Sequence, residues 1–248
     1  LYVLITPVIA LSIMRCAYLS QDFFLCGEAI RRLEGLTETS PLPTVETTLE
    51  PMGYSVSLED VSFRYEGAKE DAVSHVTLNV PEGKTIALVG PSGSGKTTLA
   101  RLIPRFWDTT GGRVLVGGVD VRKMSPEELM KSVSFVFQNT RLFKTTILEN
   151  VRYGSPDATL EEVNRAIDLS QSREILNRLP EGLNTLVGAE GTYLSGGEMQ
   201  RIVLARAILK DAPIVVLDEA TAFADPENEY LIRQALTRLT RGKTVLMI

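Results

Sequence analysis

The sequence predicts an α/β fold with a mixed central sheet, an antiparallel β portion and a helical portion. Three observations predict it. Thr85 to Val89 is a short aliphatic and β-branched run, Gly90 to Gly95 a glycine-rich turn, and Lys96 to Ile103 a helix: strand, turn, helix. Ile214-Val215-Val216-Leu217 is continuously apolar and ends in Asp218-Glu219. Such a run suits a parallel strand buried on both faces, with chemistry at its carboxyl end. Finally, residues 55 to 80 alternate in polarity as strands do, whereas about 140 to 211 has helical texture.

Bulk properties narrow the function classes. A hydrophobic content of 44% and a charged content of 23% belong to a globular chain with a sizeable core. A net charge of −5 argues against a nucleic-acid-binding surface. Cys16 and Cys26 would lie about 15 Å apart on one helix, too far for a disulfide. No Cys/His cluster is present to bind zinc. The chain starts at Leu1 and stops within an apolar run, so both ends are expected to continue in a longer protein.

Taken in order, Leu1 to Met14 is almost wholly apolar and shorter than the roughly 20 residues a bilayer requires. It reads either as a buried helix or as the last turns of a membrane helix, with Gln21 to Glu34 as a helix emerging into water. The proline- and threonine-rich Thr37 to Met52 reads as a linker. The expected division is 1–40 for the first segment, 41–53 for the linker and 54–248 for the globular domain. Strands follow at Ser55 to Leu58, Val61 to Tyr65 and Ala72 to Val80. The lone His75 falls among them as a surface residue. Gly111 to Gly118 reads as a hairpin edge, and Ser132 to Phe137 as a strand ending in Gln138. Helices are expected over Glu161 to Asp168, Arg173 to Leu179, Ser195 to Leu209 with Ser195 as cap, and Glu227 to Leu239. Lys243 to Ile248 begins another buried strand.

The glycine-rich turn fits Gly, four residues, Gly-Lys-Thr: Gly90, Pro91, Ser92, Gly93, Ser94, Gly95, Lys96, Thr97, Thr98. Its backbone N–H groups and the helix N-terminus suit phosphate, with Lys96 reaching the β- and γ-phosphates and the Thr97 hydroxyl holding Mg²⁺. Downstream, Asp218 can hold Mg²⁺ and Glu219 can polarise an attacking water. A nucleoside triphosphate and Mg²⁺ are therefore the expected ligands, and the resemblance below makes the nucleotide ATP.

With Leu194-Ser195-Gly196-Gly197-Glu198 in place ahead of Met199-Gln200-Arg201, the chain resembles the ABC ATPases, a class of P-loop NTPase, through their signature motif. The resemblance covers about Tyr54 to Ile248, with the helical signature subdomain at about 140–211. It implies that Leu194 to Glu198 contact the γ-phosphate of ATP held by another subunit. It also implies that Tyr65 stacks on adenine and that Gln138 touches Mg²⁺ and the attacking water, as part of the catalytic set with Glu219. Thr221 to Asp225 occupies the loop that crosses to the partner subunit, with Asp225 aligned after a one-residue shift. The γ-phosphate-sensing histidine of the family would follow Ile248. Thr185 to Gly191 resembles the coupling stretch of exporter-type members, with Leu186 and Ala189 at two usually acidic positions.

Leu1 to Pro43 is similar to the last membrane helix and connecting segment of exporter-type half-transporters. The implied protein is the ATPase half of a membrane transporter, in an inner membrane with its ATP-binding domain facing the cytoplasm. Its expected partners are a second half-transporter, as homodimer or heterodimer, and a transported small molecule. Phe106-Trp107-Asp108 and Ala222 to Glu229 resemble siderophore transporters of the yersiniabactin and mycobactin type; lipid, peptide and drug are the other substrate classes. A soluble non-transport ABC ATPase is the alternative function. A catalytically silent regulatory domain is disfavoured by the glutamate at 219.

Overall fold

In the computed structural model, residues 2–37, 42–45, 48–138, 141–188, 192–218 and 226–248 are described. The chain divides into two compact units, Leu1–Leu42 and Pro43–Ile248. The first holds one helix, α1 (Tyr2–Thr37). Helix runs unbroken through what the sequence presents as two segments. The stretch Ile5–Gly35 is long and apolar enough to cross a membrane by length and composition. Its apolar side chains, Val8, Ile9, Ile13, Phe23 and Phe24 among them, are exposed rather than buried. The hydroxyls of Thr6 and Ser12 donate to the carbonyls of Tyr2 and Val8 four residues back, so these polar groups need no water. Cys16 and Cys26 are unpaired and exposed on this helix, as their spacing requires.

The second unit carries its mixed β structure as two four-stranded sheets and one small ribbon. The antiparallel sheet has β1 (Val56–Phe63) between β2 (Val73–Val80) and β4 (Gly111–Val116). A short strand, β5 (Val119–Asp120), lies at the outer side of β4. Gly117 and Gly118, at φ 54° and 81°, form the two-residue turn between β4 and β5. The edge of this hairpin is thus β5, and β4 is an inner strand.

The parallel sheet has the order β3 (Thr85–Ala87), β10 (Thr244–Met247), β9 (Ile214–Leu217), β6 (Val133–Val136). Strand β9 explains its own apolar run: Ile214 and Val216 face one core, Val215 and Leu217 the other. Strand β3 departs from expectation. Among the described residues it pairs with β10 alone, Thr85 and Ala87 are exposed, and Val89 just beyond it is 92% exposed. An aliphatic composition marks a strand without revealing whether both faces are covered.

Helix α2 (Lys96–Leu102) buries Leu99, Ala100 and Leu102 in the core shared by the two sheets, and α3 (Pro126–Ser132) adds Leu129. The helical region contains α4 (Ile147–Arg152), α5 (Leu160–Leu169), α6 (Arg173–Arg178) and α7 (Gly196–Lys210). The ribbon β7 (Thr145–Thr146) with β8 (Leu186–Val187) lies among them. Thr146, Thr159 and Ser195 cap α4, α5 and α7 through their side-chain oxygens, which is why these helices start where they do. Helix α7 is wedged between two cores: Ile202 and Ala205 face the helical one, Leu204 and Ala207 the one under β9. Its far end is fixed to the parallel sheet, since Lys210 Nζ donates to Val133 O at 2.8 Å. Helix α8 (Pro226–Thr240) completes that core with Ile232, Ala235 and Leu239.

Candidate functional site

Three segments leave the carboxyl ends of parallel strands: the glycine-rich turn after β3, Gln138 after β6 and Asp218 after β9. That is where open α/β sheets place ligands. A cleft of about 460 Å³ lies there, lined by Tyr65, Ala72, Ser92, Gly93, Ser94, Gly95, Lys96, Thr97, Thr98 and Gln138.

The turn depends on its glycines at two places. Gly93 and Gly95 adopt φ 81° and 84°, a region that L side chains rarely adopt. A Cβ at Gly95 would also stand 2.2 Å from Ala72 O, so strand β2 can approach the turn only if no side chain is there. Lys96 Nζ donates to Gly90 O at 2.9 Å, Pro91 O at 2.7 Å and the Ser94 hydroxyl at 3.2 Å. Its ammonium is therefore held at the mouth of the turn. Gly95 is the N-cap of α2 and has no side chain with which to cap it, which suits the helix's first N–H groups to a ligand.

Behind the lysine, Thr97 Oγ1 donates to Asp218 Oδ1 at 2.9 Å, joining residues 121 positions apart. Asp218 is 1% exposed and its Oδ2 has no hydrogen-bond partner among the described residues. A buried carboxylate oxygen without a partner is costly. A hard cation that takes oxygen ligands would satisfy it, so these residues fit Mg²⁺. Among the described residues no group of three His, Cys, Asp or Glu side chains could hold a metal.

Tyr65 is half-buried beside the turn, with its hydroxyl 3.1 Å from Thr98 Oγ1. Its ring meets Phe63 and Trp107 edge-on, at centroid distances of 4.8 and 5.4 Å. Composition gives no sign of this three-ring cluster, which fixes the tilt of Tyr65. His75 is exposed and pairs with Asp60 on the antiparallel sheet, in keeping with a surface role.

The signature residues lie elsewhere. Leu194 is buried in the helical core, and Leu194 to Glu198 do not line the cleft. Ser195 caps α7 in a complete box: its Oγ accepts from Glu198 N at 3.3 Å and its own N–H donates to Glu198 Oε2 at 2.8 Å. Gly196 and Gly197 form the first turn. A Cβ at Gly197 would stand 2.6 Å from the Asn228 side chain, so the start of α8 seats directly on the start of α7. Glu198 is 8% exposed. Burial pushes its carboxyl up, but the Ser195 N–H and hydroxyl together with the Arg178 guanidinium outweigh it and hold it below the usual range. Arg178, which the sequence reading passed over, pairs with Glu198 through its Nη2. Glu219, Asp225, the loop Thr221 to Asp225 and the last three residues of Thr185 to Gly191 lie outside the described residues.

A second missed feature is an exposed ring pair, Phe143 and Tyr153, with centroids 4.7 Å apart and the Arg206 guanidinium over both. Arg206 Nε donates to Asn150 O and Arg206 Nη2 to Asn150 Oδ1, which ties α7 to α4 beneath the rings.

The family model for ABC transporters matches residues 73–222. The chain is 43% identical over 222 residues to an ATP-dependent lipid A-core flippase of Vibrio vulnificus (strain CMCP6), which covers 89% of this chain and 38% of that protein. It is 48% identical over 194 residues to the mycobactin import ATP-binding/permease protein IrtA of Mycolicibacterium thermoresistibile, covering 78% of this chain and 21% of that one. Among solved structures it is similar to a bacterial Atm1-family ABC exporter with ATP bound: TM-score 0.80, 33% identity, 88% of this chain and 39% of the other. The chain thus spans between 21% and 38% of the length of these two relatives.

Proposed function

This chain belongs to the ABC transporter family, and we propose that it is the ATP-hydrolysing half of a transporter whose two such domains close around two ATP molecules. One observation carries the reading. Lys96, Thr97 and Gln138 meet at one cleft, with Asp218 bonded to Thr97, while Ser195 to Glu198 start a helix outside it. Each ATP would lie between one subunit's glycine-rich turn and the other's Ser195-Gly196-Gly197.

Within the site, the turn residues Gly90 to Thr98 bind the phosphates and Tyr65 offers its ring to adenine. Thr97, Asp218 and Gln138 would hold Mg²⁺, which when bound neutralises phosphate charge. Glu219 accepts the proton of the attacking water, with Gln138 orienting that water. Leu194 to Glu198 and Asp225 act on the partner's nucleotide. Closure pulls on the membrane part and hydrolysis reopens the pair.

Residues 1–40 are the end of the membrane part, 41–53 a linker and 54–248 the nucleotide-binding domain. The membrane-length stretch of α1 and the relatives' names favour transport over a soluble, non-transport ATPase. The assembly would sit in the cell (inner) membrane with this domain in the cytoplasm. Mycobactin-import relatives at 45% and 48% identity and lipid A-core flippases at 43% and 47% are about equally similar. The ATPase half is alike across these substrates, so transport of ferric siderophore against lipid is the assay that separates them.

The test is steady-state ATP hydrolysis by the dimeric protein with Glu219→Gln as control. The rate should fall by about a hundredfold or more, the scale of a lost general base. Equal rates would sink the catalytic assignment.

A further inference from the structure

The start of α7 contains a contradiction that Arg178 resolves. A helix N-terminus carries roughly half a positive charge, which suits a phosphate. Here the third residue of the helix is Glu198, a nearly buried carboxylate that would outweigh that half charge and repel an incoming γ-phosphate. Its oxygens are divided between two tasks: Oε2 accepts the Ser195 N–H, and Oε1 accepts Arg178 Nη2. Arg178 is the last residue of α6, whose Ile175 and Leu176 are locked into the helical core, so the guanidinium is carried on a fixed base.

Adding the charges, about +0.5 from the helix and −1 from Glu198 give a repulsive end, and +1 from Arg178 restores an attractive one. We infer that Arg178 is a positioning residue for the shared ATP site: it neutralises Glu198 so that the signature helix can receive the partner subunit's γ-phosphate. The inference rests on the shared-site reading above. Because the Arg178 side chain is 62% exposed, water screens its effect while the subunits are apart. The effect grows when closure excludes water. It therefore falls on ATP-driven closure and kcat rather than on nucleotide binding to Arg178's own subunit.

The experiment compares Arg178→Met, Arg178→Lys, Glu198→Gln and the double variant Arg178→Met/Glu198→Gln in the full dimeric protein. The readouts are kcat, ATP and ADP affinity of the glycine-rich turn, and thermal unfolding. Arg178→Met should lower kcat by about tenfold, an electrostatic effect of ordinary size, while ADP affinity stays at the wild-type value and the unfolding temperature falls only slightly, because the Glu198 carboxylate keeps its Ser195 partner. Arg178→Lys should keep most of the rate. The double variant should recover to within about threefold of Glu198→Gln alone, because a neutral glutamine can still cap Ser195 without needing a counter-charge. An unaffected Arg178→Met, a loss that Glu198→Gln does not relieve, or a loss that follows the unfolding temperature would overturn the inference. Ser195→Arg run in parallel separates the two levels. Hydrolysis that survives it removes the shared site itself, whereas its loss alongside a neutral Arg178→Met removes only the role given to Arg178.

Discussion

The starts of α2 and α7 are the two helix N-termini that the proposed function gives to phosphate, and they are built in opposite ways. Helix α2 begins at a left-handed glycine with no side-chain cap, and Lys96 stands over the turn. Its free N–H groups and its cation call for an anion. Helix α7 begins at Ser195 inside a closed capping box, with Glu198 taking the Ser195 N–H and Arg178 balancing the charge. It is complete without a ligand. An uncapped start can bind nucleotide alone, whereas a self-capped one offers a hydroxyl and two glycine N–H groups that matter only when another subunit delivers a phosphate. Under the proposed function, the difference suits the first to binding and the second to recognition conditional on a second subunit.

The largest effect that would break this comparison is Lys96→Ala. Removing the Lys96 ammonium from the turn should weaken ATP binding by about a hundredfold, since it deletes charge-assisted hydrogen bonds to phosphate. Equilibrium binding of a fluorescent ATP analogue checks it, and near-normal affinity would mean the turn is not the binding element.

Next in size is Gly197→Ala. The new methyl would press on Asn228 at 2.6 Å, and overpacking of this kind costs about 1–3 kcal/mol. Thermal unfolding should show the loss, and Asn228→Gly should return part of it by opening the space. A Gly197→Ala protein as stable as wild type would mean that the α7–α8 contact gives way freely.

The smallest effect is on acid stability. Glu198 is held below its ordinary range in the folded protein. Its contribution is therefore fully present above about pH 4.3, the unfolded glutamate value, and is lost as pH falls below that through the folded one. Acid unfolding followed by circular dichroism should be less steep in Glu198→Gln. An unchanged profile would place the acid sensitivity at other carboxylates, Asp120 beside Arg122 being the next candidate.

How much of this was legible in the sequence depended on whether a feature is local. The glycine-rich turn, the Ser195 cap and the two-faced burial of β9 are written in consecutive residues, and each is where the pattern places it. Of the pairings across the chain, Thr97 with Asp218 was legible only because two separate motifs assign both to one Mg²⁺. Gly95 under Ala72 O and Arg178 with Glu198 were not, since they depend on the packing of distant segments, which no periodicity encodes. Strand β3 shows the same limit from the other side: Thr85 to Val89 has the composition of a buried strand, but burial is decided by what lies against it.

The central claim, that each ATP site is divided between two subunits, is tested most directly with mixed dimers of Lys96→Ala and Ser195→Arg. When one subunit carries Lys96→Ala and the other Ser195→Arg, one site keeps a sound turn and a sound signature, and hydrolysis by one site should remain. When a single subunit carries both changes beside a wild-type partner, each site has one damaged half, and hydrolysis should be lost. The reverse outcome, activity in the second dimer and none in the first, would show that each subunit holds a whole site and would contradict the account.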